Sequence, residues 1–328
     1  MNFRTTFEIE PSKQKVDYST PVMFIGSCFA SEIGNMMSAG KMKVNVNPAG
    51  TVFNPVSVLN TLDLILKNKQ LNKRDLYNYK GTFLSFLHYS SFNSENPEKA
   101  VKNINESTAA AHTFLRKAGF LFITFGTSRI FRFTGSGEVV SNCHKIPASM
   151  FTRELLTPDQ IAGDWKEMLD RLRSFNKKLS VIFTVSPVRH WKDGAHGNQV
   201  SKSTLFLAIE KLLEHPSAGY FPAYELLMDD LRDYRFYDSD MLHPSGEAID
   251  YIWNAFRDCY FGQETSQLWK KIYGITMAMN HRFISDSSTA RKEFAEVMLK
   301  QIDTVRRKNR GMDLSEEISY FTSIASKK

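Results

Sequence analysis

Cysteine is scarce in this chain: Cys28, Cys143 and Cys259 are scattered and odd in number among 328 residues. That excludes a disulfide framework and makes reduced thiols the simpler expectation. No Cys-x-x-Cys or His-Glu-x-x-His spacing, no P-loop and no dinucleotide-binding glycine fingerprint occurs, so neither a metal nor a cofactor is expected. Cys143-His144, His88 and His190 invite a metal reading, but neighbours in an extended segment point to opposite faces, and Cys143 and His144 would not share an ion. Long apolar runs are absent, so no membrane span is expected. Residues 1–19 mix charge with isolated apolar positions where a secretory signal would have a continuous run. The expectation is a cytoplasmic protein, in which the sequon Asn105-Glu106-Ser107 carries no meaning.

Charge of one sign is also in short supply. A formal net charge of +7 spread over this length, among many acids, does not imply nucleic-acid binding. The densest basic stretch, Arg306-Arg307-Lys308-Asn309-Arg310, has no interleaved aromatics and precedes Gly311, which suits the carboxyl end of a solvated helix. Internal repeats and low-complexity linkers are lacking, and the polar stretch from Ser91 to Glu106 reads as a mobile loop.

What the chain does have is a 42% hydrophobic content, enough to bury a substantial core. Apolar runs at Val22 to Ile25, Val44 to Val46, Phe120 to Phe125 and Val181 to Val185 read as buried strands. They alternate with helical patterns at Ser57 to Leu66, Ala109 to Lys117, Thr157 to Phe175, Ser203 to Leu213, Ala223 to Leu231 and Glu247 to Phe256. This alternation predicts an α/β fold with a mainly parallel sheet. Tyr234 to Tyr237 reads either as a last strand or as an extended approach to the segment around Asp240 and His243. Beyond Gly262 the strand signal fades, and Leu268 to Met279, Thr289 to Val305 and Ser315 to Ile324 read as helices. The chain therefore divides into an α/β unit over 1–262 and a helical extension over 263–328. Phe294, Val297, Met298, Ile302 and Val305 give that extension a packing face, for the main unit or for a partner.

Two segments carry chemistry. The first run ends at Gly26-Ser27-Cys28-Phe29-Ala30, placing Ser27 and Cys28 where a strand's carboxyl end meets a helix's amino end. Free N–H groups and the helix dipole there favour a thiolate and a developing oxyanion, although such a residue also serves as an ordinary cap. The second segment is Asp240-Met241-Leu242-His243-Pro244. An aspartate three residues before a histidine can fix the imidazole's tautomer, Pro244 holds His243 extended, and a following helix start favours the neutral, proton-accepting ring. Asp238 is the fallback orienter. Arg189-His190 follows a strand on the edge where α/β sheets bind ligands, and Arg189 suits a substrate carboxylate or phosphate as well as a surface salt bridge. Trp191, Trp253 and Trp269 read as packing residues.

Residues 26–30 spell the GSCFA signature, and the chain resembles the GSCFA-domain family, a bacterial group related to the SGNH/GDSL-like hydrolases. Further matching stretches are Asn47-Pro48-Ala49-Gly50-Thr51-Val52-Phe53-Asn54-Pro55, Asn142-Cys143-His144-Lys145, Thr184-Val185-Ser186-Pro187-Val188-Arg189-His190 and Tyr220-Phe221-Pro222-Ala223-Tyr224-Glu225. The resemblance runs from Phe3 to about Phe261 and implies a flavodoxin-like three-layer α/β/α sandwich and acyl-ester chemistry. Where such enzymes read Phe-x-Gly-Asp-Ser, this chain reads Phe24-Ile25-Gly26-Ser27-Cys28. Cys28 then replaces the serine nucleophile and Ser27 the aspartate, with Ser27 the alternative nucleophile if the turn is shifted by one residue. The oxyanion donors implied are the nucleophile's amide, Gly50, and an asparagine that is missing here, because the third block reads Gly126-Thr127-Ser128. Ser128, Asn54 and Asn142 are the substitutes, with His144 a pocket-lining residue.

The expectation is thus a hydrolase or acyltransferase acting on a small-molecule or carbohydrate-linked acyl ester or thioester through Cys28, His243 and Asp240. Its rivals are a non-catalytic binding protein that keeps the pocket, and a scaffold whose helical tail recruits a partner. The sequence leaves the oligomeric state open.

Overall fold

The computed structural model describes residues 5–280, 288–309 and 311–326. Arg310 of the basic run and Phe3 at the start of the resemblance lie outside the described residues. Five parallel strands form the central sheet: β1 (Val22–Gly26), β2 (Val44–Val46), β3 (Phe120–Phe125), β4 (Ser180–Val185) and β5 (Ala218–Tyr220). Their spatial order is β2-β1-β3-β4-β5. This is the flavodoxin-like order, whose direction reverses between β1 and β3, so the crevice beyond the carboxyl ends of those two strands is the natural ligand site.

The helices are α1 (Cys28–Ala39), α2 (Pro55–Lys67), α3 (Pro97–Leu115), α4 (Pro158–Phe175), α5 (Gly194–Leu212), α6 (Gly246–Tyr260), α7 (Gln263–Ala278), α8 (Ser288–Lys308) and α9 (Ser315–Ala325). The three inner strands, β1, β3 and β4, read as mainly apolar runs because both faces are covered. Met23, Ile25, Leu121, Ile123, Phe125, Val181 and Phe183 point into one core with α2, α3, α4 and α5. Val22, Phe24, Phe120, Phe122 and Ile182 point into the other with α1 and α6. The result is the expected three-layer α/β/α sandwich. None of the described helices is long and apolar enough to cross a membrane.

The helical tail has its own core, including Ile272, Ile275, Ala295, Met298, Ile302 and Phe321. It is fastened to the α/β layers by Trp269. That ring lies 4.8 Å from the ring of Trp253, and its Nε1 donates to the Met36 carbonyl at 3.1 Å. Lys41 adds an ion pair with the buried Glu317 at 2.7 Å.

Several expectations are corrected. Ser91 to Glu106 is not a loop throughout, because α3 begins at Pro97 with the Asn96 side chain accepting from Lys99 N. An asparagine cap followed by proline at the first helical position is the signal that polar composition masks. Small antiparallel sheets pair Tyr77–Tyr79 with Thr82–Leu84, and Arg129–Phe133 with Val139–Val140 and Phe151–Leu155. Tyr234–Phe236 is a 3-10 turn, after which Tyr237 bridges Pro244.

The turn after β1 leaves no room for a side chain. Gly26 has φ +150°, and a Cβ there would lie 2.3 Å from the Thr124 carbonyl oxygen. The backbone of β3 cannot give way, because Thr124 is Gly26's register partner. Gly26→Ala is expected to destabilise the protein by about 3 kcal/mol or more, combining backbone strain with overpacking. Urea denaturation monitored by circular dichroism measures it, and a midpoint unchanged from wild type would contradict this account of the turn.

Candidate active site

The GSCFA turn is held from three sides. Gly26 N donates to Asn47 Oδ1 at 2.8 Å, Asn47 Nδ2 donates to Ser31 Oγ at 2.8 Å, and Val52 N donates to the Gly26 carbonyl at 3.0 Å. Asn47, in the left-handed region at φ 46°, thereby ties the end of β1 to the first turn of α1. Ser27 is the N-cap by position but makes no capping bond. Its Oγ is sealed from solvent without a hydrogen-bond partner, whereas the Cys28 side chain is only half-buried. Burial pushes the Cys28 thiol above its ordinary value, its own backbone amide pulls the other way, and Glu32 adds to the rise. The expectation of a readily ionised thiol at a helix start is therefore corrected: loss of hydration outweighs the helix end.

The histidine loop is a closed unit. Asp238 N donates to the His243 carbonyl at 2.8 Å and Ser245 N to the Phe236 carbonyl at 2.8 Å. Asp240 Oδ1 accepts from the backbone N–H of Leu242 at 2.8 Å and of His243 at 2.9 Å, and Oδ2 meets His243 Nδ1 at 2.6 Å. Three bonds to one carboxylate, the His243 N–H foremost, hold Asp240 down at about 2. The carboxylate is thus ionised through the neutral range and fixes the Nδ1–H tautomer, leaving Nε2 with its lone pair. Asp238 Oδ1 instead accepts from Ser239 N. Downstream of this loop, α6 packs into the same core layer as α1, the helix that Cys28 opens.

The third and fourth strand ends are joined by residues that give little sign of themselves in the sequence. Lys202, on α5 and 1% exposed, donates Nζ to the carbonyls of Gly126 at 2.8 Å and Ser186 at 2.6 Å. Burial, with Arg189 nearby, lowers it to about 7. His190, set aside with the metal reading, lies over Gly126: a Cβ on that glycine would sit 3.2 Å from His190 Nε2. Its ring is edge-on to Phe53, and its backbone N–H donates to Asn198 Oδ1 at 3.0 Å. Burial chiefly, then Lys202, lowers His190 to about 4, and the nearness of the His243 ring works in the same direction. His190 is therefore neutral at ordinary pH and shares the electrostatic environment of His243. A lone histidine gives little sequence signal; only the glycine opposite it, in a different block, makes room for the ring.

The other expected site residues have these places. The Gly50 amide donates to the Asn47 carbonyl at 2.7 Å, and the Gly126 amide to the Phe53 carbonyl at 2.7 Å, so neither is free for an oxyanion. Ser128 is fully buried, with its amide and hydroxyl both bonded to Ser201 Oγ. The expectation of oxyanion donors at Gly50 and Ser128 is corrected accordingly. Asn54 caps α2 through Oδ1, accepting from Ser57 N, and its Nδ2 forms no hydrogen bond among the described residues. Asn142 Oδ1 accepts from His144 N. His144 uses both ring nitrogens, on Asn93 Nδ2 and the Ser85 carbonyl, which makes it a fixed part of the loop around Ser85. Arg189 Nη2 rests on Met228 Sδ at 3.3 Å. Trp253 and Trp269 are buried packing residues as expected, but Trp191 is 52% exposed. No group of three or more potential metal ligands occurs among the described residues.

Two predictions come from these environments. Alkylation of Cys28 by iodoacetamide, followed by peptide mass mapping across pH, is expected to have its midpoint above that of a free thiol and to move downward in Glu32→Gln; a midpoint well below a free thiol's would contradict the burial argument. Lys202→Met keeps the apolar stem but leaves two buried carbonyls without their donor, so a loss of about 3 kcal/mol is expected in urea denaturation. Since lysine's proton is held more weakly in the folded state, the stability due to this group rises between about 7 and its ordinary value of 10.5. The cost of Lys202→Met should therefore grow over that range, and a cost that shrinks would contradict it.

The structure is similar to a carbohydrate esterase family 3 protein from Talaromyces cellulolyticus, at 9% identity over 76% of this chain and 98% of that one, with a TM-score of 0.35. It is also similar to an acetyl xylan esterase from the rumen bacterium Butyrivibrio proteoclasticus, at 13% identity over 74% of this chain and 63% of that one, with a TM-score of 0.38. No curated protein matches the chain. Residues 21–256, more than half of the chain and including both the Gly26 turn and the Asp240-His243 loop, match the GSCFA family, and the protein belongs to that family.

Proposed function

We propose that the protein is an acyl-ester hydrolase or acyltransferase in which Cys28 is the nucleophile, His243 the base and Asp240 its orienter. The observation that carries this reading is the Asp240 clamp. A carboxylate with all three of its hydrogen bonds directed at the His243 loop fixes one imidazole tautomer, which a histidine serving only as a cap would not need. The choice of Cys28 over Ser27 rests on access, since the Ser27 hydroxyl is sealed.

In the attack step the Cys28 sulfur bonds to the acyl carbon while His243 Nε2 takes the thiol proton. Because burial holds the thiol protonated, the base must act during attack rather than find a thiolate ready. The ester C–O bond then breaks, and His243 returns the proton to the leaving alkoxide. Water, or another hydroxyl or amine, next attacks the thioester; His243 takes its proton and delivers it to the departing sulfur. The Cys28 amide at the start of α1 supplies one oxyanion donor. In this reading the neutral His190 ring and the Asn54 amide take the place of the asparagine missing from the third block.

The test is acylation by 4-nitrophenyl acetate and small thioesters, with mass location of the adduct. Cys28→Ala is expected to lose the adduct, and Ser27→Ala to keep it with no loss of thermal stability, since it removes a hydroxyl without a partner. His243→Ala should slow acylation by about 10²-fold or more, and His190→Ala by about 10²-fold as for a lost oxyanion donor. An adduct on Ser27 would reverse the assignment. No adduct anywhere in folded protein would favour a binding protein with a retained pocket, a reading supported by the engaged amides of Gly50 and Gly126.

A further inference from the structure

Beside Asp240 lies a cavity of about 560 Å³, within the size range of small-molecule sites. One wall comes from a π-helical turn, Leu226–Leu231, which ends at Arg232 in the left-handed region, φ 50°. π-Helical turns are rare and gather at functional sites. Of the large apolar or aromatic side chains exposed on the described surface, three line this one cavity: Trp191, 52% exposed, Tyr234, 78% exposed, and Met241, 50% exposed. A concentration of this kind marks a binding surface rather than scattered exposure.

The charges in the cavity are unequal in their commitments. Asp240 is bound to the His243 loop, and Asp233 pairs with Arg235 at 3.4 Å. Arg189 and Arg232 also line the cavity, and neither has a carboxylate within 4.0 Å among the described residues. Two guanidinium groups are thus left uncompensated beside exposed aromatic rings. Guanidinium forks match carboxylate and phosphate oxygens, and flat exposed rings offer faces for a pyranose to lie on.

We infer that this cavity binds the anionic sugar portion of an acylated substrate, with Arg189 and Arg232 meeting its carboxylate or phosphate while the ring lies against Trp191 and Tyr234. The inference rests on the acyl-transfer reading for its placement next to His243, but the recognition it describes is separable from the chemistry. Carboxylate and phosphate make the same demand on the two arginines, and sugars bearing one or the other tell them apart.

The experiment compares three 3-O-acetyl methyl β-D-glucopyranosides: the neutral sugar, its 6-carboxylate and its 6-phosphate. For wild type, KM for one anionic ester is expected to fall at least about ten-fold below that of the neutral ester, the value of a charge-assisted contact. In Arg189→Gln and Arg232→Gln the neutral-to-anionic KM ratio should fall toward one, and in Trp191→Ala KM for the preferred anionic ester should rise. Equal KM values across the three esters in wild type, or a ratio unaffected by both arginine substitutions, would overturn the inference. If folded wild-type protein cleaves none of them, the acyl-transfer reading fails by itself. Calorimetric titration with the deacetylated sugars then decides the subsite: arginine-dependent binding of the carboxylate or phosphate sugar supports it, and absence of binding by both overturns it.

Discussion

The close approach of Gly26 to Thr124 is the constraint on which the rest of this structure depends. At that point β1 and β3 are in parallel register and the chain must turn at once into α1, leaving no room for a side chain. Asn47 then fixes the turn by bonding the Gly26 amide and reaching Ser31, so a residue from the end of β2 sets where α1 begins. Cys28 is placed by that geometry and not by its own contacts. The neighbouring strand end is treated likewise: Gly126 is bonded through its amide to Phe53 and through its carbonyl to Lys202. The rim of the switch-point crevice is therefore built of backbone groups pinned by side chains from elsewhere, a rigid frame for groups that must meet accurately.

Burial gives the site its electrostatic character. It raises the Cys28 thiol, and lowers His190 to about 4 and Lys202 to about 7. Each shift favours the uncharged form, as removal of water from any ionisable group does. Asp240 is the exception, exposed and held at about 2 by N–H donors. Its contribution to the fold is present above the ordinary value of 3.8 and is lost only as the pH falls toward 2. The chemistry that suits this balance is proton handover during reaction rather than attack by an ion already formed.

Much of this is legible in the sequence. Buried parallel strands announce themselves as short apolar runs, and four of the five central strands do so; Ala218–Tyr220 does not, being three residues long with a glycine at its centre. The asparagine and proline that begin α3 are hidden by the polar residues around them. At the site, Asp240 and His243 are legible because their interaction is local, three residues apart. The Lys202 and His190 environments are not, since each depends on a distant glycine: Gly126 is 76 residues from Lys202. Gly50 and Ser128 are donors by resemblance alone, but an amide in a turn and a hydroxyl facing α5 already have partners, and only three-dimensional contacts reveal that.

The central claim is that His243 removes the Cys28 proton as sulfur attacks. Single-turnover acylation measured in H2O and in D2O tests it most directly. A proton in flight predicts slower acylation of wild type in D2O, with the isotope sensitivity reduced or lost together with most of the rate in His243→Ala. Acylation that proceeds at the same rate in both solvents, and is unchanged when His243 is replaced, would contradict it.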